Sequence, residues 1–221
     1  MLFGKIDYIN LLPFHVFLKG SSLPHSFKSS CERNKAVPSA INQKFKKRRV
    51  DAAFISSIES QRKGIKPLCL GIVAQSEVHS VLIKQGEAHN DPASATSNVL
   101  AKVLGLEGEV FIGDRALKLY LENPEAYTDL AEEWYKRYAL PFVFGRLCVN
   151  RHYTFYKKLA KRFGKTRVKI PRYILKEYSE QRGISPKDIR EYLTFISYTI
   201  AKKESNALKL FFKKVKQLRK E

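Results

Sequence analysis

A chain of 221 residues with 44% hydrophobic and 12% aromatic content has enough apolar surface for one large domain or two small ones, folded without covalent staples. Its three cysteines, Cys31, Cys69 and Cys148, are far apart and odd in number, which argues against a disulfide framework or a C-x-x-C metal or redox site and points to a reducing cytoplasm. The formal charge of +20 favours an anionic partner, whether nucleic acid, an acidic membrane surface or a multiply charged small molecule, without choosing among them.

The opening Met1-Leu-Phe-Gly-Lys-Ile-Asp-Tyr8 has no charged segment leading into an apolar one, and no stretch approaches 18 consecutive apolar residues. The expectation is a protein neither exported nor membrane-spanning. Leu2 to Ile6 reads as a short strand that delivers Tyr8 and Asn10 to a loop, where Pro13 disfavours helix for the residue before it. Pro38 opens a helix with Ile41 and Phe45 on one face, ending in Lys46 to Arg49. The strand Ala52 to Ile55 then breaks into Ser56 and Ser57, small hydroxyls at a strand's carboxyl end. Leu68 to Val73 and Val78 to Ile83 read as two more strands, the second carrying His79 and Ser80.

Asp91-Pro-Ala-Ser94-Ala-Thr96-Ser97 runs into the helical pattern Asn98 to Leu104. Hydroxyls at a helix start cap it, and the free N–H groups and dipole there also favour an anion. Glu109 to Asp114 reads as a strand and sharp turn in which Gly113 supplies the backbone freedom, followed by a helix over Arg115 to Leu121. Asp129-Leu-Ala-Glu132 is a variant capping box for a helix with Leu130 and Trp134 one turn apart, and Leu140 to Val149 is a further strand.

Beyond residue 150 the pattern changes to basic, aromatic-rich helices. Ser185-Pro-Lys-Asp188 caps one on which Ile189, Tyr192, Leu193, Ile196 and Ile200 recur at helical spacing. The last helix sets Leu208, Phe211, Phe212, Val215 and Leu218 against Lys209, Lys213, Lys214, Lys216 and Arg219, a basic face read as solvated. Strands alternating with helices make the fold class α/β.

Dinucleotide, P-loop, hydrolase-elbow and zincin signatures are absent, and the five histidines do not fall at metal-ligand spacing. No metal or cofactor is expected. What remains is a set of small polar groups at predicted element ends, Asn10, Ser56, Ser57, Ser80, Ser94, Thr96, Ser97 and Asp114, suited to grip and orient a polar anion in a cleft.

The segments Gly4 to Phe14 (G-x-I-x-Y-x-N-x-x-P-F), Val50 to Ser57, Val78 to Ile83, Ser94 to Ser97, Ile112 to Leu117 and Asp129 to Phe144 together resemble the chorismate dehydratases of the futalosine route to menaquinone. The likeness covers most of the first 150 residues. Leu11 stands where the family often has Thr, Ala139 where Gly usually precedes Leu-Pro, and Gly145-Arg146-Leu147 where Ala and Trp are common. The resemblance implies a two-lobed α/β fold of the type II periplasmic-binding-protein kind, used in the cytoplasm as a cofactor-independent lyase with its substrate between the lobes. Lobe 1 is expected over residues 1–84 and 148–221, and lobe 2 over 85–147. Asn10 and Ser80 are the implied catalytic residues; Tyr8, Ser56, Ser57, Ser94, Thr96, Ser97, Gly113 and Asp114 are the implied substrate-binding ones. The expected partner is chorismate, with no nucleic acid and no membrane. A non-catalytic receptor for a small carboxylate and a nucleic-acid-binding protein are the alternatives, the second lacking any known aromatic-basic module in this chain.

Overall fold

The computed structural model describes residues 1–218. In chain order the elements are β1 (Phe3–Gly4), α1 (Leu12–Gly20), α2 (His25–Arg33), α3 (Pro38–Lys46), β2 (Ala52–Ser56), β3 (Lys66–Ala74), β4 (Val81–Gln85), α4 (Ala95–Val103), β5 (Gly108–Ile112), α5 (Gly113–Glu122), β6 (Thr128–Asp129), α6 (Leu130–Tyr138), β7 (Phe142–Val149), α7 (Tyr153–Lys165), α8 (Arg172–Arg182), α9 (Pro186–Tyr192), β8 (Ile196–Thr199) and α10 (Lys202–Leu218).

The strands form two sheets. The larger has the order β1-β2-β7-β3-β8 and the smaller β5-β4-β6. β1 and β2 pair in parallel, while β7 runs antiparallel to both β2 and β3. The chain leaves the large sheet after Ala74 and returns at Phe142, so all of β4 belongs to the small sheet and all of β7 to the large one. A division after residues 84 and 147 would cut both strands. Nothing in a short apolar run says which of two sheets will take it.

Every residue of β2 is buried, as expected of a strand covered on both faces. On one side Phe14 of α1 meets Phe54 of β2 and Phe163 of α7 edge-on, at ring-centroid distances of 5.1 and 5.0 Å. The two lobes share a second aromatic cluster. Trp134 of α6 stands edge-on to Phe142 of β7 and Phe211 of α10, at 5.2 and 6.0 Å.

Three local expectations fail for identifiable reasons. The loop expected around Pro13 is a 3₁₀ turn, Ile9–Leu11, followed directly by α1. Pro13 lies in the first helical turn, where its missing N–H has no intrahelical partner to lose. The helical spacing from Ile189 to Ile200 is broken. α9 ends at Tyr192, and Ile196 and its neighbours form β8 on the edge of the large sheet beside β3, because a β-branched run with an open sheet edge to pair takes the strand. β4 begins at Val81, later than the expected Val78. Val78 and His79 instead give their amides to the buried carboxylate of Asp129, at 2.8 and 2.6 Å. Asp129 also caps α6 through the Ala131 and Glu132 amides, so the expected capping residue additionally pins the crossing between sheets.

Ala139, at the end of α6, has φ of 51°, the left-handed conformation in which a Cβ crowds the following carbonyl. The last helix forms as expected and buries Leu208, Phe211 and Val215; Arg219 lies outside the described residues.

Candidate active site between the sheets

The loops that follow β1 and β2, the turn from β5 into α5, the start of α4 and the crossing before β4 all open toward one crevice. Its lining includes Tyr8, Asn10, Ser56, Ser80, Ser94, Ser97 and Gly113, seven of the ten residues singled out from sequence, with Phe54, Phe144 and Val78 supplying apolar wall.

Each polar group is held by a specific neighbour. Ser94 has extended backbone angles and accepts the Ser97 amide at 3.1 Å as the cap of α4, while its own hydroxyl donates to Ser97 Oγ at 2.8 Å. Ser97 therefore keeps its hydrogen for another acceptor. Ser56 is clamped by Asn42, whose Nδ2 donates to Ser56 Oγ at 2.9 Å and whose Oδ1 accepts the Ser56 amide at 3.1 Å. Ser80 Oγ is 2.8 Å from the Tyr192 hydroxyl, both buried. The carbonyl of Asn10 accepts the Tyr198 hydroxyl at 2.5 Å, and Asn10 Oδ1 is buried without a protein partner.

Gly113 and Tyr8 fit as a pair. Gly113 has φ of +70°, and a Cβ there would lie 2.7 Å from the Tyr8 ring. The glycine thus permits both the turn and the close approach of the aromatic face. Burial, with Asp91 and Asp114 adding, pushes the Tyr8 phenol up to about 12.

The remaining three lie outside the lining, with their polar atoms engaged. The Ser57 hydroxyl donates to the Val143 carbonyl at 2.6 Å. Thr96 Oγ1 accepts the Ile58 amide at 3.2 Å. Asp114 Oδ1 accepts the Ile9 amide at 2.8 Å and Oδ2 accepts Arg182 Nε at 2.5 Å. Burial pushes the Asp114 carboxyl above its usual range even though the amide and the guanidinium oppose it. His79, expected on a strand beside Ser80, stacks on Tyr120 at 4.1 Å with Nε2 2.8 Å from Glu77.

Sequence reasoning passed over Asn42, Arg182, Tyr192 and Tyr198. For Tyr192 a signal existed, because a tyrosine in an otherwise aliphatic stripe brings a hydroxyl that must find a partner when buried.

The crevice is about 70 Å³, whereas a larger cavity of about 540 Å³ lies beneath α1, α2 and α8. In the larger cavity some of the charged side chains are paired, while Lys19, Lys28 and Glu177 have no charged partner among the described residues and both His15 ring nitrogens are unpartnered. Lys5 pairs with Glu32 at 2.7 Å, and Lys35 and Arg182 pair with Asp7. The crevice gathers seven of the ten residues singled out from sequence, most of them uncharged donors and acceptors, and it is the candidate site on that ground. Among the described residues no cluster of three His, Cys, Asp or Glu side chains is placed to hold a metal ion, and no helix is long and apolar enough to cross a membrane.

Comparison with known proteins agrees with this architecture. Among solved structures, a protein of Archaeoglobus fulgidus superposes with a TM-score of 0.65 at 11% identity, covering 97% of this chain and 96% of that one. A Candida albicans protein described as having the generic periplasmic binding protein fold superposes with a TM-score of 0.54 at 12% identity, covering 96% and 90%. A family model described as menaquinone biosynthesis matches residues 1–109 and 103–217. The chorismate dehydratase of Campylobacter jejuni subsp. jejuni serotype O:23/36 (strain 81-176) is 50% identical over 220 residues, 99% of each chain. With the family model covering nearly the whole chain and half of all positions shared with a full-length relative, the chain belongs to this menaquinone-biosynthesis family, on a periplasmic-binding-protein fold.

Proposed function

We propose that the protein is a chorismate dehydratase, a carbon–oxygen lyase that removes water from chorismate to give 3-[(1-carboxyvinyl)oxy]benzoate. The observation that carries this reading is the full-length identity to the Campylobacter enzyme. The ring C–H beside the enolpyruvyl ether and the neighbouring C–OH are lost together, and aromatisation drives the step. No redox change occurs, so the reaction calls for no redox cofactor.

In this reading one substrate carboxylate sits at the start of α4, within reach of the Ser97 hydroxyl and the helix's positive end. Ser80 and Asn10 address the departing hydroxyl and the enolpyruvyl side, stabilising charge by fixed position. Asp114 has both oxygens occupied, which favours the substrate's own side-chain carboxylate as the group that takes the ring proton. Ligand sites usually span about 300 Å³ or more; with only about 70 Å³ in the crevice, the lobes part to admit chorismate and close over it.

Incubation of purified protein with chorismate and a chelator, followed by chromatography against authentic product and an enzyme-free control, tests the proposal. Aromatic product is expected, with Asn10→Asp more damaged than Asn10→Ala, because a carboxylate replaces a neutral amide next to an anionic substrate. Tight chorismate binding without product would make the protein a receptor, and neither binding nor product would sink the assignment.

A further inference from the structure

Three helices turn polar stripes onto the cavity beneath them. Leu12, His15, Val16 and Lys19 recur at helical spacing along α1, and all line it. His25, Lys28, Ser29 and Glu32 do the same on α2, as do Ile174, Glu177, Tyr178 and Gln181 on α8. A helix that only packs on its neighbours shows them an apolar stripe, as α7 does with Tyr156, Leu159 and Phe163. Here the stripes that meet carry ammonium, carboxylate and carboxamide groups around a space of about 540 Å³. That volume is within the usual range of small-molecule sites, about 300 to 1,000 Å³.

The lining is graded in polarity. Its most buried members, Phe3, Leu12, Leu18 and Ile174, are apolar and at most 5% exposed. Lys19, His25 and Glu177 are exposed, and Lys28 is half-buried. Four lysines and three carboxylates line the space. Lys5 pairs with Glu32 and Lys35 with Asp7, which leaves Lys19, Lys28 and Glu177 and an excess of positive charge. Lys28 Nζ donates to the Lys19 carbonyl at 2.7 Å, so this ammonium stands at the end of α1 with further N–H groups to give. Lys19 Nζ is 5.4 Å from the Tyr173 ring centroid and has no carboxylate partner among the described residues. The His15 ring nitrogens are closed off and offer no contact.

We propose that this cavity is a second binding site, for a small organic acid with an apolar body and a carboxylate. The body lies against the buried apolar wall, and the carboxylate meets Lys19 and Lys28 at the end of α1. Covering apolar surface supplies attraction in proportion to its area, and the ammonium groups select for the anion. An inorganic anion would meet the lysines but leave the wall uncovered. A neutral molecule would cover the wall but leave the lysines unmatched. Binding needs no turnover, so this site stands or falls apart from the dehydratase reading.

Calorimetric titration of the full chain with 4-phenylbutanoate tests the proposal. Saturable binding is expected, about tenfold or more tighter than for 4-phenylbutanamide or inorganic phosphate, the size of one charged hydrogen bond. Lys19→Gln with Lys28→Gln should weaken it by a similar factor while KM for chorismate stays within twofold. Ser97→Ala should leave the probe's affinity unchanged, and excess chorismate should not displace it. Because Lys28→Gln also takes a donor from the end of α1, Val16→Trp serves as a second variant. It fills the cavity without altering a charge and should abolish probe binding. No saturable binding to the wild type, wild-type affinity in both variants, displacement by chorismate, or equal binding of the amide or of phosphate would each overturn the inference. A wild type that gives no product from chorismate would sink the dehydratase reading alone, since the titration still decides this site.

Discussion

Arg182 of α8 and Asp114 of α5 clasp the two lobes, with Nε 2.5 Å from Oδ2. The same guanidinium donates from Nη2 to the Asp7 carbonyl at 2.9 Å and to its carboxylate at 3.1 Å, and lies 4.1 Å from the Tyr178 ring centroid. Burial works against the charge on Arg182, but Asp114 and Asp7 outweigh it and hold the guanidinium firmly protonated. Both side chains of the clasp are largely shielded, 11% and 16% exposed. Its removal is therefore costly in a way that an exposed pair would not be.

Arg182→Met leaves two shielded carboxylates without their shared cation. It should lower unfolding free energy in urea by about 3 kcal/mol and raise KM for chorismate by loosening the closed form. Adding Asp114→Asn should recover part of the stability. An unchanged urea midpoint in the single variant would show that the clasp contributes nothing.

The two neighbouring hydroxyls at the start of α4 should separate in their effects. Ser97→Ala removes a donor facing the crevice and should raise KM about tenfold, the size of one charged hydrogen bond, with little change in stability. Thr96→Ala strips the Ile58 amide of its acceptor and should cost about 1–3 kcal/mol of stability with KM nearly unchanged. Equal KM effects in the two variants would move the carboxylate site away from the described geometry.

Ala139→Gly should stabilise the protein. The left-handed Ala139 costs about 1–2 kcal/mol, and the entropy that glycine adds to the unfolded chain returns only about 0.4–1 kcal/mol. A net gain near 1 kcal/mol corresponds to a rise of about 3 °C in Tm for a chain of this size, with turnover unaffected. A lower melting point would mean that the Cβ makes contacts worth more than the strain.

His15 governs an acid limb of stability. The residue is half-buried, but both ring nitrogens are buried and unpartnered. Burial lowers its pKa from 6.5 to about 3, with Lys5 as the next contributor. Since the folded value lies below the unfolded one, the unfolded chain takes up the proton first on acidification. The stability is present in full above pH 6.5 and declines as the pH falls toward about 3. His15→Phe should flatten that part of a Tm-versus-pH curve. If the variant and wild type follow parallel curves from pH 7 to pH 4, the histidine is not the titrating group.

Much of the site was legible because caps and strand ends have local chemical signatures. Ser94 was identifiable as a cap from the apolar period that follows it, and Gly113 from the strand-to-helix turn it had to make. The roles of Thr96, Ser57 and Asp114 were not. The groups they satisfy, the Ile58 amide, the Val143 carbonyl and the Ile9 amide, are brought to them by tertiary folding. Tyr192 illustrates the converse. Its spacing marked it correctly as core, yet only the fold places its hydroxyl against a serine 112 positions away. β8 was missed because the apolar spacing of Ile196 and Ile200 continues that of α9, and the open edge of β3 that decides the matter is invisible in one dimension.

The register of the large sheet pairs Ala74, where the chain departs, directly with Phe142, where it returns. In topological terms β3 and β7 are the two arms of a hairpin whose tip has been replaced by an entire lobe. The two crossing segments run side by side, so bending is concentrated about one shared axis, as in a hinge with adjacent leaves. The same pairing means that a tight turn joining residues 74 and 142 would close the large sheet's hairpin without altering its register. The small lobe is thus a cassette, and its contents are exchangeable in principle without redrawing the sheet that carries it.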